Sequence, residues 1–287
     1  MSERQANEVL LQAEKKLNGW SWFASSTSKQ EEAAELYEKA GNTFRLAQGW
    51  SEAGKCFLKA AELYRKTPDL LYEASKAYEH AAKCFKKNDS QAAIDALQEA
   101  TVIDKNGAHF RNAAKHHQEM AEIYESDIVD LERAMEHWEE AAQMYIADDS
   151  QAMVNKCLLK VAHFAAQLEQ YKAAIEKFET VATASMDNPL TKWSLKEYFL
   201  KAGLCHFCIG DMVSSHQALE KYCNLDVTFE STREYQFLQG ILECIEEDDT
   251  QLFTQKVYEF DQMTKLDNWK TSILLKIKKS IDEPSLL

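Results

Sequence analysis

Residues 33–64 read AAELYEKAGNTFRLAQGWSEAGKCFLKAAELY, and their pattern decides the fold. Alanine, an aromatic and alanine fall at positions i, i+4 and i+7: Ala33, Tyr37 and Ala40, then Ala53, Phe57 and Ala60. Those offsets share one face of an α-helix. Two small residues flanking a large ring let a neighbouring helix come close around it. Outward from this stretch the triplet returns at Ala74/Tyr78/Ala81 and Ala134/Trp138/Ala141. Weaker copies are Ala93/Leu97/Ala100 and Ala174/Phe178/Val181, and loose ones start at Ala114 and Asn155. The eight starting positions are 19 to 21 residues apart.

A step of about 20 residues holds one helix of about four turns and a short loop, so two steps make a hairpin of about 40 residues. Stacked hairpins bury each unit's apolar face on the next and build a solenoid. An ordinary bundle with alanine-rich interfaces would not keep so constant a period. The period fades near residue 185, before the break at MDNPL (186–190). Beyond it, residues 191–209, 214–222, 231–247, 250–260 and 268–281 read as five more helices with a poor alanine pattern. The expected organisation is a repeat array over 1–185, with a connecting loop at 18–30, and a C-terminal helical bundle and tail over 186–287. The bundle closes the last exposed apolar face of the array.

Composition agrees. Only 8 Gly and 3 Pro in 287 residues leave little punctuation for sheets and favour helices with short loops. No apolar run approaches the roughly 20 residues of a membrane span. The N-terminus, MSERQANEVLLQAEKK, lacks the apolar core of a signal peptide. The seven cysteines, an odd number mostly on apolar helical faces, read as reduced core thiols of a cytosolic protein. A net charge of −14 disfavours a nucleic-acid binder. The acid is uneven: residues 211–261 hold 12 acidic and 3 basic side chains.

Against that background, cations recur in register. Lys115 and Lys156 are 41 residues apart, Lys196 follows 40 later and Arg233 another 37 later, with Lys160 one turn after Lys156. Equivalent positions of a solenoid point one way, so these residues are expected to form a line suited to an elongated anionic partner. Chance alignment of 33 basic residues on solvated faces is the competing explanation.

Catalytic signatures are missing. The glycines form neither a dinucleotide fingerprint nor a phosphate loop, and there is no HExxH. Cys205, His206 and Cys208 make a CxxC without a second ligand pair, which reads as core; a zinc enzyme built on them would carry stoichiometric metal. Adjacent His116 and His117 diverge by about 100° on a helix and do not share a metal. An enzyme is disfavoured and no cofactor is implied.

NKCLLKVAHFAAQLEQYKAAIE (155–176), AAKHH (113–117), MDNPL (186–190), KEYFLKAGLCHF (196–207) and LDNWKTSILLKIKKSI (266–281) resemble the soluble NSF attachment proteins, the alpha type above all. The resemblance spans essentially the whole chain. It implies an all-α fold, a right-handed twisted solenoid of antiparallel helical hairpins (tetratricopeptide-like) followed by a C-terminal helical bundle. It implies a cytoplasmic, peripheral membrane adaptor that binds SNARE four-helix bundles and recruits and stimulates the NSF hexamer, an AAA ATPase. The SNARE-facing cations of the family match Lys115, Lys156, Lys160, Lys196 and Arg233; an arginine expected before AAKHH is replaced by His109, with Arg111 nearby. The NSF-facing acids match Asp211, Glu243, Glu246 and Glu247, and the stimulatory terminal leucine matches Leu286, with Leu287 in place of the usual polar last residue. Trp20, Trp22 and Phe23, otherwise odd in a short polar loop, match the membrane-contacting aromatics of the family. Indole rings favour the bilayer interface, and Lys15, Lys16 and Lys29 would favour anionic lipid. The alternative is a tetratricopeptide-like scaffold that holds short peptide tails.

Overall fold

The computed structural model describes residues 3–19, 26–186 and 188–282. These residues form helices and no strand, in two compact units, 1–154 and 155–287.

The first unit contains α1 (Glu3–Asn18), α2 (Ser26–Leu46), α3 (Trp50–Tyr64), α4 (Leu71–Phe85), α5 (Ser90–Asn106), α6 (Phe110–Ile123) and α7 (Leu131–Ala147). Each packs on the next in sequence. The alanine triplets explain why. In the four clear copies and the two weaker ones, which fall on α2 to α5, α7 and α9 (Tyr171–Met186), the flanking residues are fully buried and the central side chain is at most 5% exposed. Gly54 extends the same logic to the closest approach. A methyl group there would lie 2.7 Å from two ring atoms of Phe85, so α3 and α4 meet at van der Waals distance only because no side chain intervenes.

The connections are short and mostly left-handed. Gln48, Ala108, Val129, Asp149, Glu169 and Asp248 all take φ between 52° and 62°. At all six the next residue donates its N–H back across the turn, as from Gly49 to the Phe44 carbonyl at 2.9 Å and from His109 to that of Asp104 at 2.8 Å. This is the Schellman closure of a helix end, made here without glycine. Asp89, Asp130, Asp211, Thr232 and Asp249 cap the helices that follow, each accepting a backbone N–H of the first turn.

A buried polar hub ties three helices of the first unit. Asp104 on α5, 1% exposed, accepts from Ser75 Oγ of α4 at 2.7 Å and lies 2.9 Å from His116 Nε2 of α6. Burial alone would raise this carboxyl, but the bonds from His116 and Ser75 hold it below the ordinary range.

The second unit takes in α8 (Gln151–Gln167) from Asn155, α9, α10 (Leu195–Ile209), α11 (Met212–Leu225), α12 (Arg233–Glu246), α13 (Thr250–Met263) and α14 (Asn268–Asp282). Here α10 is the hub, packed on α9, α11, α12 and α14. Its sequence LKEYFLKAGLCHFCI is apolar on nearly every side, as a centrally buried helix requires. Gly203 admits α12: a methyl group there would sit 2.8 Å from both methyls of Leu238. The last helix is locked by its Trp269. Its indole N–H donates to the His163 carbonyl at 3.1 Å, and its ring meets those of His163 and Phe178 edge-on. Beside it, Glu197 Oε1 lies 2.7 Å from Lys270 Nζ and 3.4 Å from Lys201 Nζ, and Lys201 Nζ lies 2.9 Å from His163 Nε2.

Candidate functional site

Lys115 is exposed on α6 in the first unit. Together with the Ser150 hydroxyl and Arg111, whose hydrogen bonds act more strongly, its charge holds the Asp148 carboxyl below the usual range. His109 does not replace an arginine cation simply. Its Nδ1 lies 3.3 Å from buried Asp104, and its ring lies edge-on to Tyr72. Arg111 is engaged within the fold, donating through Nε to Asp148 at 2.8 Å and through Nη2 to Ser150 at 3.2 Å.

In the second unit Lys156 is exposed on α8, and Lys160 one turn later is half-buried, its Nζ 5.7 Å from the centre of the Phe164 ring. Arg233 is exposed at the first residue of α12, just after the Thr232 cap. Lys196 near the start of α10 has its Nζ 3.0 Å from Glu234 Oε1 on α12. It also lines a groove of about 490 Å³ with Pro189, Lys192, Trp193, Asp226 and Thr232. Trp193, 82% exposed, is part of this lining, and Leu190, which follows Pro189, is exposed as well. Nothing in the sequence marks their exposure: Trp193 falls inside the stretch 191–209 that reads as helical, and Leu190 falls in the break at MDNPL.

The four acids divide by role. Asp211 caps α11, its Oδ1 accepting from Ser214 N at 3.1 Å. Glu243 and Glu246 lie in the last turn of α12, and Glu247 caps that turn; all three are exposed. Glu246 is bonded to His216 Nε2 at 2.7 Å. A groove of about 810 Å³ beside them adds Glu220 and Glu230 to the acidic rim, with Lys256 and His216 as its basic members. Glu220 and Glu230 sit 23 and 13 residues before Glu243, so only the packing of α11 on α12 reveals them. Carboxylates crowded at a helix C-terminus oppose the helix dipole, an arrangement that folding alone would not select.

Trp20, Trp22 and Phe23, together with Leu286 and Leu287, lie outside the described residues. At the edges of the N-terminal loop, Lys16 pairs with Glu32, and Lys29 donates to the Gly19 carbonyl at 2.6 Å. No helix among the described residues is long and apolar enough to cross a membrane.

The CxxC of α10 is core. Burial pushes the Cys208 thiol up to about 12 and Cys205 well above its ordinary value, and pushes His206 down. Protonated thiols are poor metal ligands. Among the described residues no three His, Cys, Asp or Glu side chains gather to hold a metal, and all seven cysteines are free.

The family model described as "Soluble NSF attachment protein, SNAP" matches residues 4–282. The chain is 43% identical to the alpha-soluble NSF attachment protein of Mus musculus, over 99% of this chain and 98% of that protein. It is 42% identical to the beta-soluble NSF attachment protein of Bos taurus, over 97% and 94% of the two chains. It is 40% identical to the probable vesicular-fusion protein sec17 homolog of Schizosaccharomyces pombe, over 96% of each. With the helical repeats, the buried alanine triplets and these whole-length matches together, the chain belongs to the soluble NSF attachment protein family.

Proposed function

We propose that this protein is a vesicle-fusion adaptor, not an enzyme, that binds assembled SNARE complexes and recruits and stimulates the ATPase NSF for their disassembly. Lys115, Lys156, Lys160, Lys196 and Arg233 grip the acidic four-helix bundle, with exposed Trp193 adding apolar contact. Asp211, Glu243, Glu246 and Glu247, joined by Leu286 and Leu287, face the NSF hexamer. Trp20, Trp22 and Phe23 rest on the cytosolic face of the membrane and raise the local concentration of adaptor there. In this reading the repeat array runs to residue 185, and residues 186–287 carry the ATPase-facing end.

The observation that carries the reading is the recurrence of exposed cations on alternate helices, α6, α8, α10 and α12, of a protein whose net charge is −14. Exposed charge pairs are screened by salt, so SNARE binding should weaken as ionic strength rises. The test is a pull-down with a pre-assembled SNARE bundle, followed by disassembly with NSF and ATP. Lys115→Glu/Lys156→Glu should lose the bundle while keeping the wild-type unfolding curve. Retained binding by that variant removes the cation line from the mechanism.

A further inference from the structure

Lys196, one of the proposed partner-facing cations, has a nearly buried carboxylate behind it. Its side chain is 47% exposed, but its Nζ lies 3.0 Å from Oε1 of Glu234, whose side chain is only 9% exposed. The pair joins the second residue of α10 to the second residue of α12. The other carboxylate oxygen, Glu234 Oε2, is buried without a hydrogen-bond partner. Lys196 therefore serves a poorly solvated carboxylate on one side and lines an open groove on the other.

We propose that Glu234 attenuates the SNARE-facing surface: it positions Lys196 on the rim of the groove and offsets its charge, so that this cation holds an acidic helix only weakly. The inference rests on the reading that the cation line binds the SNARE bundle. An ammonium has three donors, and Glu234 leaves two of them for a partner. A partner carboxylate that reaches Nζ from the groove comes within about 6 Å of the Glu234 carboxylate, a distance at which like charges near a protein surface still repel appreciably. Holding the lysine in place lowers its ordering cost, but for a half-exposed side chain that gain is the smaller effect. An adaptor that must let go of its substrate after each round is served by such a brake.

The pair is asymmetric, which makes the proposal testable. Glu234→Gln removes the buried charge and leaves Lys196 to water. Lys196→Gln removes the counter-ion and strands a buried carboxylate, which is strongly destabilising. Binding of a pre-assembled soluble SNARE bundle would be measured against salt for Glu234→Gln, Lys196→Gln, the double variant and Lys156→Glu, with the thermal midpoint of each. Glu234→Gln should keep its midpoint, bind about threefold tighter at low salt and show a steeper salt dependence. Lys196→Gln should melt earlier and bind more weakly, and the double variant should recover the midpoint but not the binding. If Lys156→Glu loses the bundle while Glu234→Gln binds no tighter than wild type, the attenuator is wrong and the adaptor reading stands. If Lys156→Glu binds normally, the cation line fails and takes the attenuator with it.

Discussion

At the scale of single residues, the fold is maintained against local cost. Val129 takes φ 62° in the turn between α6 and α7, where a β-branched side chain crowds its own backbone. Val129→Gly should raise the unfolding free energy by about 1 kcal/mol, because left-handed backbone costs a non-glycine residue roughly that much. Urea denaturation would measure it, and an unchanged or lower midpoint would mean that the valine side chain contributes contacts that offset its strain. The histidines are a second cost, tied to pH. Burial, aided by His137 and Lys201 respectively, pushes His117 and His163 down to about 3, and burial also lowers His80, His137 and His206. Unfolded histidines bind protons near pH 6.5, whereas these native ones do not. For His117 and His163 the contribution is therefore complete above about pH 6.5 and is lost as the pH falls from there toward 3, at about 1 kcal/mol each near pH 5.5. Unfolding midpoints at pH 7.5 and 5.5 should differ accordingly, and His163→Gln, whose amide takes up no proton, should narrow the difference. None of this is legible from spacing: eight glycines announce short loops, but not that glutamine, alanine and valine would take the left-handed turns.

At the scale of elements, legibility follows the distance between partners along the chain. The triplets revealed α2 to α5, α7 and α9 because their periodic faces record repeated local packing, and burial of the four clear and two weaker copies repeats that logic. The lock on α14 could not be found that way, since Trp269 meets His163 from 106 residues away and no local spacing encodes the meeting. The same holds for Lys196, visible as a cation in register but not as the counter-ion of Glu234, 38 residues on. Close approach of elements gives a direct test. Gly54→Ala places a methyl group 2.7 Å from the rigid Phe85 ring between α3 and α4. Overpacking costs about 1–3 kcal/mol, and the gain in helix propensity returns about 1, so the variant should lose about 1 kcal/mol. A stabilised Gly54→Ala would show that these two helices have slack.

At the scale of the whole molecule, the charge distribution separates two activities that the adaptor reading combines. Residues 211–261 hold 12 acidic and 3 basic side chains, and Glu243, Glu246 and Glu247 are concentrated at one end of α12. That end is the C-terminus, where the helix dipole favours cations. Glu247, exposed and at the cap, is unfavourably placed for stability and has no role in packing. Glu247→Lys should therefore stabilise the protein by a few tenths of a kcal/mol, or up to about 1. If the acids exist to meet a basic ATPase surface, the same change should lower stimulation of NSF ATPase activity severalfold while SNARE binding, carried by the separate cations, stays at the wild-type level. Opposite signs in stability and stimulation are what a residue retained for a partner should give, because selection for folding alone would have placed a lysine there. Stimulation equal to wild type, in a variant that is equally or more stable, would reduce the acidic end of α12 to a solvated face and leave NSF recruitment to other residues.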